Sequence, residues 1–145
     1  MRAKPNPEKP TCVSIIVCDD VYRDEATKKL VIVGTFNFLH TPGFPCRHPG
    51  MTVLFTVTNA VGKYDLSLCV EHEQTGQKVM EISGPFEVGN PLAISDINMR
   101  LENLVFNEEG KYWVVLSADG EIIGQRPFVV IRTTEAPKDG GKNDE

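Results

Sequence analysis

Between Lys63 and Glu73 apolar and polar residues alternate one by one. Tyr64, Leu66, Leu68 and Val70 share one parity; Asp65, Ser67, Cys69 and Glu71 share the other. A strand with one buried face produces this pattern, because successive side chains leave opposite sides of the pleat. Met51–Val61 repeats it, with Val53, Phe55 and Val57 set against Thr52, Thr56 and Thr58. Ile97, Met99 and Leu101 alternate with Asp96, Asn98, Arg100 and Glu102. Cys12–Cys18 and Leu30–Leu39 are apolar on both parities, as expected of central strands. No segment carries a convincing helical stripe; the nearest, Leu92–Phe106, fits a strand better.

Turn chemistry separates the runs. Arg23–Lys28 divides the first two, while Glu73–Gln77 and Ala118–Glu121 read as hairpin tips, the latter through Asp119-Gly120. The chain therefore predicts seven to eight strands. No connection is long enough for a crossover helix, so antiparallel pairing is expected. His40–Gly50 (HTPGFPCRHPG) and Ser83–Pro91 (SGPFEVGNP) read as longer loops, the first carrying the chain between sheets. Tyr112 after Gly110-Lys111, and Tyr64 after Gly62-Lys63, sit where a tyrosine corner closes a turn in Greek-key sandwiches. The expected fold is all-β: an immunoglobulin-like antiparallel β-sandwich with Greek-key connections.

Composition narrows the function. A length of 145 residues suits one domain. Residues 1–11 and 133–145 are too poor in large apolar side chains to offset their ordering entropy, and are expected to be flexible tails around a domain at 12–132. Thr11–Ile131 holds nine Lys+Arg against fifteen Asp+Glu, a net of −6, which argues against a nucleic-acid surface. No apolar run reaches the roughly 18 residues of a membrane helix. Met1–Pro10 has no apolar h-region, so a cytoplasmic location is expected.

Candidate chemistry is sparse. Cys12, Cys18, Cys46 and Cys69 lack the paired spacing of a structural zinc site and read as reduced thiols. The nearest ligand cluster is His40, Cys46 and His48 in the proline-rich loop, a metal- or thiol-dependent alternative that would need further ligands, with Cys18 and Asp19 as candidates. The bland reading of that loop is a crossing whose Phe44 plugs the core. Asp19 and Asp20 are adjacent, so they point to opposite faces of a strand and suit capping better than acid–base work. Cys69 and His72 also straddle faces, which disfavours general-base activation. No nucleotide-binding, nucleophile-elbow or zinc-protease motif occurs. No enzymatic activity and no cofactor are expected. Trp113, on the parity opposite Tyr112, Val114 and Leu116, is either an exposed anchor for a partner or a core residue displaced by a bulge.

Ser14–Phe38 (SIIVCDDVYRDEATKKLVIVGTFNF) resembles the opening of an uncharacterised bacterial domain-of-unknown-function family. The shared features are a strand ending in Cys18-Asp19, a hairpin around Thr27-Lys28-Lys29, and Gly34-x-Phe36 in the return strand. The later Gly110-Lys111-Tyr112 and Asp119-Gly120 fit the same order, so the resemblance spans Cys12–Ile131. It implies a bacterial, stand-alone sandwich domain and carries over no catalytic residue. The expected function is a non-catalytic binding or assembly module. It would engage a protein partner, or a second copy as a homodimer, through a sheet face, an edge strand or end loops, with Trp113 and Phe44 as candidate contacts.

Overall fold

Each alternating run becomes a strand with its apolar parity turned inward. The computed structural model describes residues 9–133. These form β1 (Thr11–Arg23), β2 (Leu30–Thr35), β3 (Phe38–Thr41), β4 (Cys46–Thr58), β5 (Gly62–His72), β6 (Lys78–Val88), β7 (Ile94–Phe106), β8 (Gly110–Ala118) and β9 (Glu121–Arg132). One sheet has the order β2-β1-β4-β7; the other has the order β3-β9-β8-β5-β6 and curls as a half-barrel. Among the described residues no helix is long and apolar enough to cross a membrane.

The two sheets share one core. Val17, Met51, Val53 and Phe55 from the first meet Leu68, Val70, Val114 and Leu116 from the second. Phe106, Tyr112 and Phe128 pack ring against ring, with centroids 5.0 to 5.9 Å apart. Both tyrosine corners form: Tyr64 Oη donates to the Val61 carbonyl at 2.8 Å, and Tyr112 Oη donates to the Glu108 carbonyl. The Asp119-Gly120 tip has φ of 50° and 85°, the left-handed pair that a tight two-residue hairpin needs.

Five expectations change. There are nine strands among the described residues, not seven to eight. Pairing is not wholly antiparallel, since β3 runs parallel to β9 from Phe38↔Val129 to Thr41↔Arg132. That pair is non-local: the chain leaves β2 in one sheet, crosses through Phe36 and Asn37, and joins the other sheet at its edge. The segment read as a loop at Ser83–Pro91 is mostly strand, because β6 runs to Val88 and is an edge, where Pro85 costs no ladder bond. The loop at His40–Gly50 shrinks to residues 42–45, which do carry the chain between sheets and contain the cis Phe44–Pro45 bond. At the boundary assigned to a tail, Thr11 already pairs with Thr58; residues 1–8 and 134–145 lie outside the described residues.

One irregularity was invisible to periodicity. β4 and β7 pair from Cys46↔Phe106 to Thr58↔Ile94, but Pro49 and Asn103 drop out of the ladder, and Asn103 has a φ of 58°. On both strands the inward set changes parity there. β4 turns in Cys46 and His48, then Met51 and Val53; β7 turns in Phe106 and Leu104, then Leu101 and Met99. Matched slips keep the register while reversing which residues face the core.

Candidate functional site

The proposed metal cluster does not assemble. Cys46 and His48 lie two apart on β4, on the inward side, whereas His40 is exposed on β3 in the other sheet and stacks on Phe38. Among the described residues no group of three His, Cys, Asp or Glu side chains is placed to hold a metal ion. His48 Nε2 is buried without a hydrogen-bond partner, and its paired neighbour across the ladder is Leu104. Phe44 is half-buried and packs against the core, as a plug would.

The thiols are free, and three of them are poorly suited to nucleophilic work. Burial pushes the Cys12 and Cys18 thiols up, and for Cys18 the Asp19 and Asp20 carboxylates add to the effect. Cys69 is pushed up to about 11, first by burial and then by the Glu71 carboxylate, whose Oε1 lies 3.8 Å from its sulfur. A reactive thiol needs the opposite shift. His72 is also committed. Its Nδ1 accepts from the Gln74 and Thr75 amides at 3.2 Å each, which assigns the proton to Nε2, 3.1 Å from the Glu109 carbonyl. The imidazole thus ties the β5–β6 turn to the loop before β8.

Trp113 faces outward, as the parity of Tyr112 requires, and is not a core residue. It is half-buried beside Glu71 on β5 and Pro127 on β9. Its Nε1 donates to Glu73 Oε1 at 2.8 Å, and Lys111 Nζ lies 6.0 Å from the ring centroid. The indole is therefore already engaged by its own sheet.

Another accessible surface lies elsewhere. β1 pairs with β4 only from Thr11 to Cys18. Beyond Cys18 it continues with β2 as its ladder partner, from Cys18↔Thr35 to Arg23↔Leu30, forming a two-stranded arm. The point of divergence is stitched by side chains: Arg100 Nη1 donates to the Asp19 carbonyl at 2.7 Å, and Thr52 Oγ1 reaches the same carbonyl at 3.5 Å. Gly34 completes this corner. Its φ is +71°, and a Cβ there would stand 2.4 Å from Asp19 Oδ2. Two residues on, Phe36 packs edge-on against Phe128 at 6.3 Å. The Cys18-Asp19 and Gly34-x-Phe36 features thus meet in space.

The arm has two wet faces and, among the described residues, an edge that no strand covers. Tyr22 is 55% exposed, Val33 44% and Ile32 37%. The four sheet edges differ sharply. β7 carries Asp96, Arg100, Glu102 and the slip at Asn103; β6 carries Lys78, Glu81, Pro85 and Glu87; β3 has four residues. Those are the usual devices against edge-to-edge pairing. β2 reads LVIVGT, with no charge and no proline; its one slip is at Gly34, and every residue is half-buried or exposed. The sequence reading missed this strand, taking its density for that of a central one. Apolar residues on both parities are the same signal for either, and only topology separates them.

No curated protein matches the chain. Among solved structures, a Pseudomonas fluorescens alkylpurine DNA glycosylase, AlkC, bound to DNA containing an abasic site analogue, is similar at a TM-score of 0.49 and 12% identity. That match covers 84% of this chain and 30% of the glycosylase. A β-glucosidase from Listeria innocua in complex with isofagomine is similar at 0.42 and 8% identity, over 83% of this chain and 16% of the other. The chain thus spans less than a third of either structure. A family described as "Family of unknown function (DUF6941)" matches residues 13–131, nearly the whole described body, and the chain belongs to that family.

Proposed function

We propose that this chain is a non-catalytic binding or assembly module that takes an extended partner strand onto the free edge of β2. The observation that carries the reading is the contrast among the four edges. Three are blunted by charge, proline or shortness; β2 has a backbone slip at Gly34, near its end, but is otherwise apolar, uncharged and accessible. Strand addition uses main-chain hydrogen bonds for affinity and alternate side chains for selectivity, and β2 offers both with Ile32 and Val33. The raised thiols and the fully engaged His72 favour a non-catalytic role. The immunoglobulin-like description belongs to this reading, supported by two facing sheets and two tyrosine corners.

The test compares affinity capture from the native host by the full chain and by Ile32→Pro. The Lys29 carbonyl accepts from the Asp24 amide, so by alternation Val31 and Val33 bond to β1 while the Ile32 N–H points to the open edge; proline at Ile32 removes that outward donor and leaves the β1–β2 ladder and the two-sheet core untouched. Circular dichroism melts establish that both proteins are folded. A partner held by the unaltered chain and lost by the variant is expected; equal capture by both would overturn the reading.

A further inference from the structure

We infer that the strand added to β2 is β2 of a second copy, antiparallel across a two-fold axis, joining the two four-stranded sheets into one. The inference rests on the strand-addition reading above and names its partner. The argument is the charge at the two ends of the arm. At the tip, Arg23, Lys28 and Lys29 stand against Asp24 and Glu25, a net of +1. At the base, Asp19, Asp20 and Glu102 stand against Arg100, a net of −2. Asp20 is the ladder partner of Val33, and Asp19 lies against Gly34, so the acids sit beside the end of β2 opposite its lysines.

Antiparallel pairing reverses one copy relative to the other. It lays the lysine end of each strand alongside the aspartate end of its partner. Parallel pairing would set lysine beside lysine and aspartate beside aspartate. A two-fold axis perpendicular to the sheet keeps equivalent faces on the same side. Lys29 and the partner's Asp20 then share a face, because Lys29 has the parity of Val31 and Val33, and Asp20 is opposite Val33. Such an interface is isologous and closes at two copies, which limits growth into fibres. The paired ladder is short against the roughly 1,200 Å² at the low end of specific interfaces, so a reversible dimer is expected, with a dissociation constant on the order of micromolar.

Sedimentation of the full chain over a concentration series tests this. The expected species at high concentration has twice the 16.1 kDa chain mass. Lys29→Glu and Asp20→Lys should each weaken association at least tenfold, and the double variant should restore it. Added salt should weaken the unaltered dimer, since the pairs are exposed. A dimer indifferent to either substitution, or single losses that the double variant does not repair, would overturn the inference. A monomer at every concentration would overturn it too. In that case, host capture that Ile32→Pro still abolishes leaves the strand-addition reading standing with a different protein, whereas capture unaffected by the variant sinks both.

Discussion

β1 is one strand in two surroundings. From Ile15 to Val17 it lies beside β4 over the shared core, and Val17 is fully buried. From Asp19 to Arg23 its ladder partner is β2, and each of its residues is half-buried or exposed. The covered half is held by apolar contacts from the opposite sheet. The arm is held by its hairpin ladder, the Arg100 and Thr52 hydrogen bonds at its root, and the local network at its tip, where Asp24 accepts from the Ala26 amide. Two strands by themselves are marginal in water. A two-stranded arm whose outer strand is apolar fits the proposal of a surface completed by pairing.

The contrast has measurable consequences. Phe55 is fully buried opposite Ile15, so Phe55→Ala should cost about 3–5 kcal/mol in denaturant unfolding, whereas Tyr22→Ala on the arm should cost under about 0.5 kcal/mol. Similar costs for the two would erase the distinction between the halves of β1.

The root of the arm should respond to an intermediate degree. Gly34→Ala places a side chain in left-handed backbone and against Asp19, with an expected loss of at least about 1–2 kcal/mol. Adding Asp19→Ala should recover the steric share and leave the backbone share. Full recovery in the double variant would show that φ at Gly34 carries no strain.

The smallest effect lies on the far sheet. Cys69 is favoured as the neutral thiol, so its contribution is complete below the ordinary value of 9.0 and is lost as pH rises towards about 11. Cys69→Ala should flatten the alkaline fall in melting temperature over that window. Burial raises the Tyr112 phenol as well, so part of the fall should remain. An unchanged alkaline profile would remove Cys69 from the account.

Much of the body was legible from the residues. The inward parities of β4 after Met51, of β5 and of β8 follow from alternation, as does the outward placing of Trp113 once Tyr112 is fixed as a corner. The Asp119-Gly120 hairpin follows from local turn chemistry. Other features did not yield. Gly84 and Pro85 read as loop, yet they lie within an edge strand that tolerates them. Leu30–Leu39 read as a central strand, yet it divides into two edges in different sheets. His40 is near Cys46 in sequence, yet β3 and β4 belong to opposite layers.

The sequence by itself determined that these residues form strands, which face of most of them is buried, and where several of the turns close. Those properties depend on the period of a pleat and on the conformational preferences of a few residues, all local. Only the tertiary structure decided which strands became edges, that β3 would run parallel to β9, and that β4 and β7 would reverse faces together at Pro49 and Asn103. Those depend on partners far apart along the chain, and an apolar residue carries no mark of whether its neighbour is a strand of its own fold or one yet to arrive.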